Sequence, residues 1–172
     1  MEVRVVSSKE LKVDRRLIEK ISDITLENEN LTYRSPNSIK DSVRKGFFLF
    51  ALDKSGGILG WIERHEIWDN WWNLSTLYVF PKFRNTGVGR ETLIPKGIEE
   101  LEGKNIFAAV GDREIQKILE GFGFKEVRVA DLPFMFKFNL IVKRYLNVKS
   151  LMKFLKIKSK GLNYFVRIAN DF

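Results

Sequence analysis

The sequence predicts an α/β protein, one sheet with helices packed on it, and three observations carry that reading. Hydrophobic spacing switches along the chain between the alternation of strands and the i, i+3, i+4 recurrence of helices. The resulting order is strand, two helices, three strands, helix, strand, helix, two strands, which one sheet covered by helices accommodates. The 172 residues, 44% hydrophobic and 30% charged, suit one domain with a full core rather than a disordered chain.

Val3 to Val6 reads as a strand, and Ser7-Ser8-Lys9-Glu10 has the Ser-x-x-Glu spacing of a capping box, which predicts a helix start there. Leu11, Leu17, Ile18, Ile21 and Ile24 continue at helical period. Ser35-Pro36-Asn37-Ser38 breaks the pattern, and a short helix ends at Gly46. Phe47 to Leu52, Ile58 to Trp68 and Trp71 to Phe80 are three strands, the first two separated by a turn at 54–57. After a loop, Leu93, Ile94, Ile98 and Leu101 form a helical pattern in which Pro95 predicts a kink or a late start, because proline deletes a backbone donor and clashes with the preceding turn. Ile106 to Val110 is a strand, and Ile115, Ile118, Leu119 and Phe122 line one helix face before Gly123. Lys125 to Val129 and Phe134 to Val142 read as strands again.

Composition removes several classes of function. No cysteine is present, so disulfides, thiol nucleophiles and thiolate metal ligands are excluded, and the single histidine, His65, argues against zinc. The longest apolar run, Phe47 to Leu52, is far shorter than the ~20 residues of a membrane span. No secretion-like N-terminus is visible, and a cytoplasmic protein is expected.

The strand Leu74 to Phe80, the loop from Pro81 to Gly89 and the helix beyond it form an arrangement suited to phosphate. Amides at a helix start lack internal partners, the helix dipole adds positive character, and Gly87 and Gly89 allow close backbone approach. Arg84 and Arg90 add charge. No Gly-Lys-Ser/Thr follows, so this is no Walker loop, and Thr92 stands where a dinucleotide fingerprint needs its third glycine.

Leu77-Tyr78-Val79-Phe80-Pro81 followed by Arg84-Asn85-Thr86-Gly87-Val88-Gly89 resembles the signature of the GNAT (general-control-related N-acetyltransferase) family: an apolar-x-Val-x-Pro strand end, then Gln/Arg-x-x-Gly-x-Gly/Ala. A later strand, helix and Gly123-Phe124 resemble the family's second cofactor segment. The resemblance covers roughly Phe47 to Val142. It implies a mixed, mostly antiparallel sheet flanked by helices, acetyl-CoA as cosubstrate, and direct attack of an amine on the thioester. It further implies backbone contacts at Leu77, Tyr78 and Val79 for the pantetheine arm, and at Arg84, Asn85, Thr86, Gly87, Val88, Gly89 and Arg90 for the phosphates. Three positions depart from the pattern. Leu119 replaces the tyrosine that protonates the leaving thiolate, Asp112 replaces the asparagine at the start of that helix and is counted with the cofactor-binding residues, and the usual glutamate on the strand before the loop has no clear counterpart.

Glu63, His65 and Glu66 are the candidate general bases; strand alternation puts Glu63 and His65 on one face and Glu66 on the other, and a solvated strand face is the plainer alternative. Nothing near His65 resembles a nucleophile elbow, which argues against a serine triad. Trp61, Trp68, Trp71 and Trp72 either line an acceptor pocket or fill the core. Two other functions compete with transfer to an amine: a non-catalytic acetyl-CoA-binding or interaction protein, and a polyanion-binding module.

The last alternative comes from charge. The body to Phe136 carries 21 basic and 21 acidic residues, whereas 137–172 carries nine basic and one acidic, so the whole net charge of +8 lies in the tail. Accordingly residues 1–142 are taken as the acetyltransferase domain and 143–172 as a basic extension packed on it or on a second subunit. Leu151, Met152, Phe154, Leu155 and Ile157 form a helical apolar stripe, and Leu162 to Ala169 reads as a last strand. An acidic or nucleic-acid partner, attracted by the lysines, and a homodimer are the partners this tail leaves open besides the amine acceptor.

Overall fold

The computed structural model describes residues 2–145 and 161–169. Its strands are β1 (Arg4–Ser7), β2 (Phe48–Leu52), β3 (Ile58–Trp68), β4 (Trp71–Val79), β5 (Asn105–Val110), β6 (Lys125–Val127) and β7 (Asn163–Arg167). The helices are α1 (Arg15–Glu27), α2 (Pro36–Lys45), α3 (Ile94–Glu99), α4 (Arg113–Gly121) and α5 (Phe134–Tyr145). The strands form one sheet in the order β1-β2-β3-β4-β5-β7-β6. All neighbours are antiparallel except β4 and β5, which run parallel. This is the mixed, mostly antiparallel α/β sheet expected.

Three apolar clusters hold the layers together. On one face Ile62, Leu74, Ile98 and Leu119 pack with Leu93 and Phe165. On the opposite side Phe48, Phe50 and Trp61 receive Ile21 of α1 and Ile39 of α2. The third joins Ile67, Trp71 and Phe107 to Phe136 and Leu140 of α5. Trp61 and Trp71 are therefore core residues.

Helix α1 starts later than the capping-box spacing suggests. Asp14 caps it, accepting from the Leu17 amide at 2.8 Å. The Ser7 amide still donates to Glu10 Oε1 at 3.3 Å, but this turn does not propagate, and Leu11 and Val13 pack as an irregular segment against the α1–α2 cluster. Pro95 does delay the regular helix. A wide π-helical turn runs over Val88–Leu93, and α3 begins at Ile94 with Pro95 in its first turn, where the missing N–H is no loss.

Phe134 to Val142 is a helix, contrary to the strand read from its alternation. Leu132, Phe136 and Leu140 are the buried positions, and their spacing of four satisfies a two-residue period and a helical one alike. Phe134 and Phe138, the intervening members of the alternation, are exposed. The boundary drawn between 142 and 143 thus falls inside α5. The last strand is present as β7, inserted between β5 and β6, while the apolar stripe at 151–157 lies outside the described residues.

Phe136 is fully buried, 5.0 Å from Trp71 and 5.1 Å from Phe107 between ring centroids. Phe136→Ala should lower unfolding free energy by about 3–5 kcal/mol in urea titration, whereas Phe138→Ala should change it by no more than about 0.5 kcal/mol. Equal effects would mean that α5 does not pack as described.

Candidate active site

The site begins where two parallel strands separate. Strand β4 pairs with β5 only over Trp71–Asn73 against Asn105–Phe107, after which the strands diverge. The distal half of β4 keeps β3 on one side: the Phe80 amide donates to the Leu59 carbonyl at 3.0 Å. Peptide groups alternate in direction along a strand, so that of Val79 points away from β3 into the gap. The Arg84 side chain confirms this for Val79, its Nε donating to the Val79 carbonyl at 3.3 Å.

A bulge interrupts β4 at the same level. Trp61 lies opposite Tyr78 and Glu63 opposite Ser75, so Thr76 and Leu77 together oppose Ile62. Thr76 sits at φ +51°, a left-handed conformation unfavourable to a β-branched residue. Just beyond it the two strands come unusually close: a Cβ at Gly60 would lie 2.4 Å from the Tyr78 carbonyl oxygen.

The gap widens into a cleft of about 830 Å³. One wall is β4 from Leu74 to Val79, and the other is Ala108 to Gly111 with the first turns of α4. The loop at Arg84, Asn85 and Gly87–Glu91 closes one end, and Asn28, Asn30, Leu31 and Thr32, after α1, line the other. Of the residues expected to hold the cofactor, Leu77, Tyr78, Val79, Arg84, Asn85, Gly87, Val88, Gly89, Arg90 and Asp112 all line this cleft. Thr86 is not among the lining residues, its hydroxyl donating to the Phe83 carbonyl at 2.6 Å. Asp112 caps α4, accepting from the Glu114 and Ile115 amides at 2.8 and 3.3 Å.

The loop is rigidly anchored. Val88 is 1% exposed, Gly87 has φ +85° and Asn85 φ +60°. Gly87 and Gly89 differ in what they require. A Cβ at Gly87 would be strained by its φ and would meet Glu91 Oε2 at 2.8 Å, whereas one at Gly89 would make only ordinary contacts with Val79 and Leu77. Protein packing therefore explains the first glycine but not the second.

The three candidate bases do not line the cleft. Glu63 is fully buried, His65 is partly buried with Nε2 3.5 Å from the Asn73 side-chain nitrogen, and Glu66 is exposed. Glu63 meets Arg34 Nη2 at 2.5 Å, and the Thr76 hydroxyl donates to its other oxygen at 3.3 Å. None of the four tryptophans lines the cleft either. Leu119 does, from the main core, at 2% exposure. The lining residues Asn28, Asn30, Leu31 and Thr32, the Thr76 bulge and Lys117 were missed by sequence reasoning; only the polar run Asn28-Glu29-Asn30 hinted at a functional loop. Among the described residues no cluster of His, Cys, Asp and Glu could hold a metal ion, and no helix is long and apolar enough to cross a membrane.

Gly87→Ala should lower the melting temperature by several degrees, since a residue forced into the left-handed region costs roughly 1–2 kcal/mol, whereas Gly89→Ala should melt like the wild type. A large destabilisation at Gly89 would show that its small size serves the protein's own packing.

Comparison with known proteins identifies the fold. Rv2747 from Mycobacterium tuberculosis, solved in complex with CoA, superposes with a TM-score of 0.68 at 16% identity over 98% of this chain and 99% of that one. N-acetylglutamate synthase from Neisseria gonorrhoeae, complexed with coenzyme A and N-acetyl-glutamate, gives 0.68 at 16% identity over 97% of this chain, which spans only 35% of the synthase. Ribosomal-protein-alanine N-acetyltransferase from Brucella melitensis gives 0.59 at 18% identity over 98% of this chain and 99% of its own. At such identities the likeness shows a shared fold. No curated protein sequence matches the chain. The Acetyltransferase (GNAT) family model matches residues 16–111, more than half of the chain, from within the first turn of α1 to just past the end of β5, and the protein therefore belongs to the GNAT acetyltransferase family.

Proposed function

We propose that the protein transfers the acetyl group of acetyl-CoA to an amine that enters the cleft at the 28–32 end. The observation that supports this most directly is the unpaired edge of β4 beside the Arg84–Arg90 loop, a backbone surface and an anion site on one continuous wall. An extended amide-bearing arm lies along Leu77 to Val79 as an added strand would, satisfying peptide groups that β5 leaves open. The amides at the start of the Val88–Leu93 turn, with Arg84 and Arg90, receive the diphosphate.

Placed this way, the thioester lies near the bulge. The acceptor amine attacks its carbonyl directly, and the amide of Leu77 or Val79 donates to the oxygen on which negative charge develops. Most of the rate then comes from holding two reactants in line within one cleft. With Glu63, His65 and Glu66 off the cleft lining, the attacking amine loses its proton to water in the cleft. Leu119 has no proton to give, and the Tyr78 ring packs with Trp61 and Phe80 on the other side of the sheet, but Ser75 is a hydroxyl-bearing residue of the lining, and a thiol of pKa near ~8.5 also leaves tolerably as the thiolate. The acceptors of the neighbours named above point to α-amino groups, of an amino acid or of a protein, as the class to try first.

CoA should raise the melting temperature, the stabilisation amounting to about 2.7 kcal/mol at a hundredfold excess over Kd. Gly89→Val should abolish this shift while the protein remains folded. Turnover should appear on a panel of glutamate, alanine-initiated peptides and lysine peptides. No shift in the wild type at millimolar CoA would reject the reading, and a shift without turnover on any amine would favour a non-catalytic acetyl-CoA-binding protein.

A further inference from the structure

The polar residues buried between helices α1 and α2 and the sheet form one network with Arg34 at its centre. The Arg34 amide donates to Thr25 Oγ1 at 3.0 Å, and its carbonyl accepts from Ser22 Oγ at 2.9 Å, tying it to α1. Its Nη2 donates to Ser42 Oγ of α2 at 2.9 Å and to Glu63 Oε1 of β3 at 2.5 Å. Thr76 Oγ1, on the β4 bulge, donates to Glu63 Oε2 at 3.3 Å. Glu63 thus has one oxygen committed to the segment that leads out of the acceptor-end loop, and the other to the wall along which the thioester is placed. It is fully buried and does not line the cleft, so no amine can reach it.

We propose that Glu63 is a positioning residue: through Arg34 it fixes the 28–34 segment, and through Thr76 it fixes the bulge, so that acceptor and thioester are held in register. This rests on the acyl-transfer reading above. Breaking either arm lets one wall shift relative to the other, although both walls remain and cofactor binding persists. A bulge held at an unfavourable φ needs such an external tether, because its own backbone preference would relax it. A carboxylate suits this role, since its two acceptor oxygens sit on one rigid group and can join two segments that lie far apart in sequence.

The test uses Glu63→Gln, Arg34→Met, Thr76→Ala and Thr76→Ser in the full chain. Hydrogen exchange, which needs no turnover, should rise at both 28–34 and 75–79 in Glu63→Gln, mainly at 28–34 in Arg34→Met and mainly at 75–79 in Thr76→Ala, with α4 unchanged. The CoA-induced melting shift should survive in all of them. In steady-state kinetics kcat/KM for the acceptor should fall by about 10–100-fold in the first three variants, the loss expected of an ångström-scale misplacement, with both limbs of the pH profile unmoved. Thr76→Ser, which keeps the hydroxyl, should return towards wild-type values. A fall of about 10²–10⁴-fold in kcat for Glu63→Gln alone, with loss of the acidic limb and wild-type kinetics in Arg34→Met and Thr76→Ala, would identify Glu63 as the general base and overturn the proposal. Unchanged exchange at either segment in Glu63→Gln would overturn it as well. Should Glu63→Gln fail to fold, the Thr76 pair still decides, since it leaves the ion pair intact: equal exchange and kinetics in Ala and Ser sink the link. A wild type that binds CoA but acetylates no amine removes the acyl-transfer reading, while the exchange pattern continues to decide the positioning role.

Discussion

The parting of β4 from β5 is the constraint on which the rest of the structure depends. Two parallel strands that stayed paired would satisfy each other's backbone and close the sheet, and no cleft would exist. Here they pair over only Trp71–Asn73 and Asn105–Phe107. What keeps them apart is visible on both sides. On β4, the Thr76 bulge redirects the strand and Gly60 lets β3 follow it closely. On β5, the far edge is taken by β7, which pairs from Ile106 to Val110 and holds that strand to a different course. The edge of β4 that β5 leaves unpaired follows from this geometry, with the Val79 carbonyl there accepting from Arg84 Nε.

The cleft ends differ in how they are built. At the loop end, backbone dominates: glycines, the open turn beginning at Val88, and two arginines. At the opposite end, side chains dominate, because 28–34 has no regular structure and is secured by Arg34 to Ser22, Thr25, Ser42 and Glu63. Under the function proposed above, this division matches an invariant cosubstrate at one end and a particular acceptor at the other. Backbone contacts tolerate sequence change, whereas a side-chain network ties the shape of the acceptor end to specific residues. A buried ion pair contributes little net stability compared with apolar packing, and its value here lies in fixing one geometry.

Family membership leaves chemistry to the details of the site. The wall proposed to face the cofactor carries glycines and arginines suited to phosphate, while Leu119, which the family resemblance sets at the place of a proton-donating tyrosine, is buried among apolar neighbours. In the mechanism proposed above, catalysis with this arrangement relies on orientation and on the oxyanion donor more than on a dedicated acid. The basic excess of the tail lies mostly outside the described residues, apart from Arg167 on β7 and the basic residues of α5.

Short-range pattern was enough to place most strands, the helix starting at Pro36, the loop from Arg84 to Gly89 and the delayed start of α3, because turns, caps and glycine-rich loops are determined by neighbouring residues. The ten cleft residues read from the motif belong to that local class. Four features required the tertiary structure. Phe134–Tyr145 is a helix because its buried residues recur every four positions, a spacing that strand and helix share, and only the neighbouring Trp71 and Phe107 decide between them. Strand β7 lies between β5 and β6 because pairing across the sheet joins residues distant in sequence, which no local period encodes. Thr76 adopts a positive φ that its own chemistry disfavours, held by packing and by Glu63. Glu63 itself reads in sequence as one polar residue on a strand face; its partner Arg34 lies 29 residues away, and only the tertiary structure brings the two together in a buried pair, because no local pattern encodes a contact at that separation.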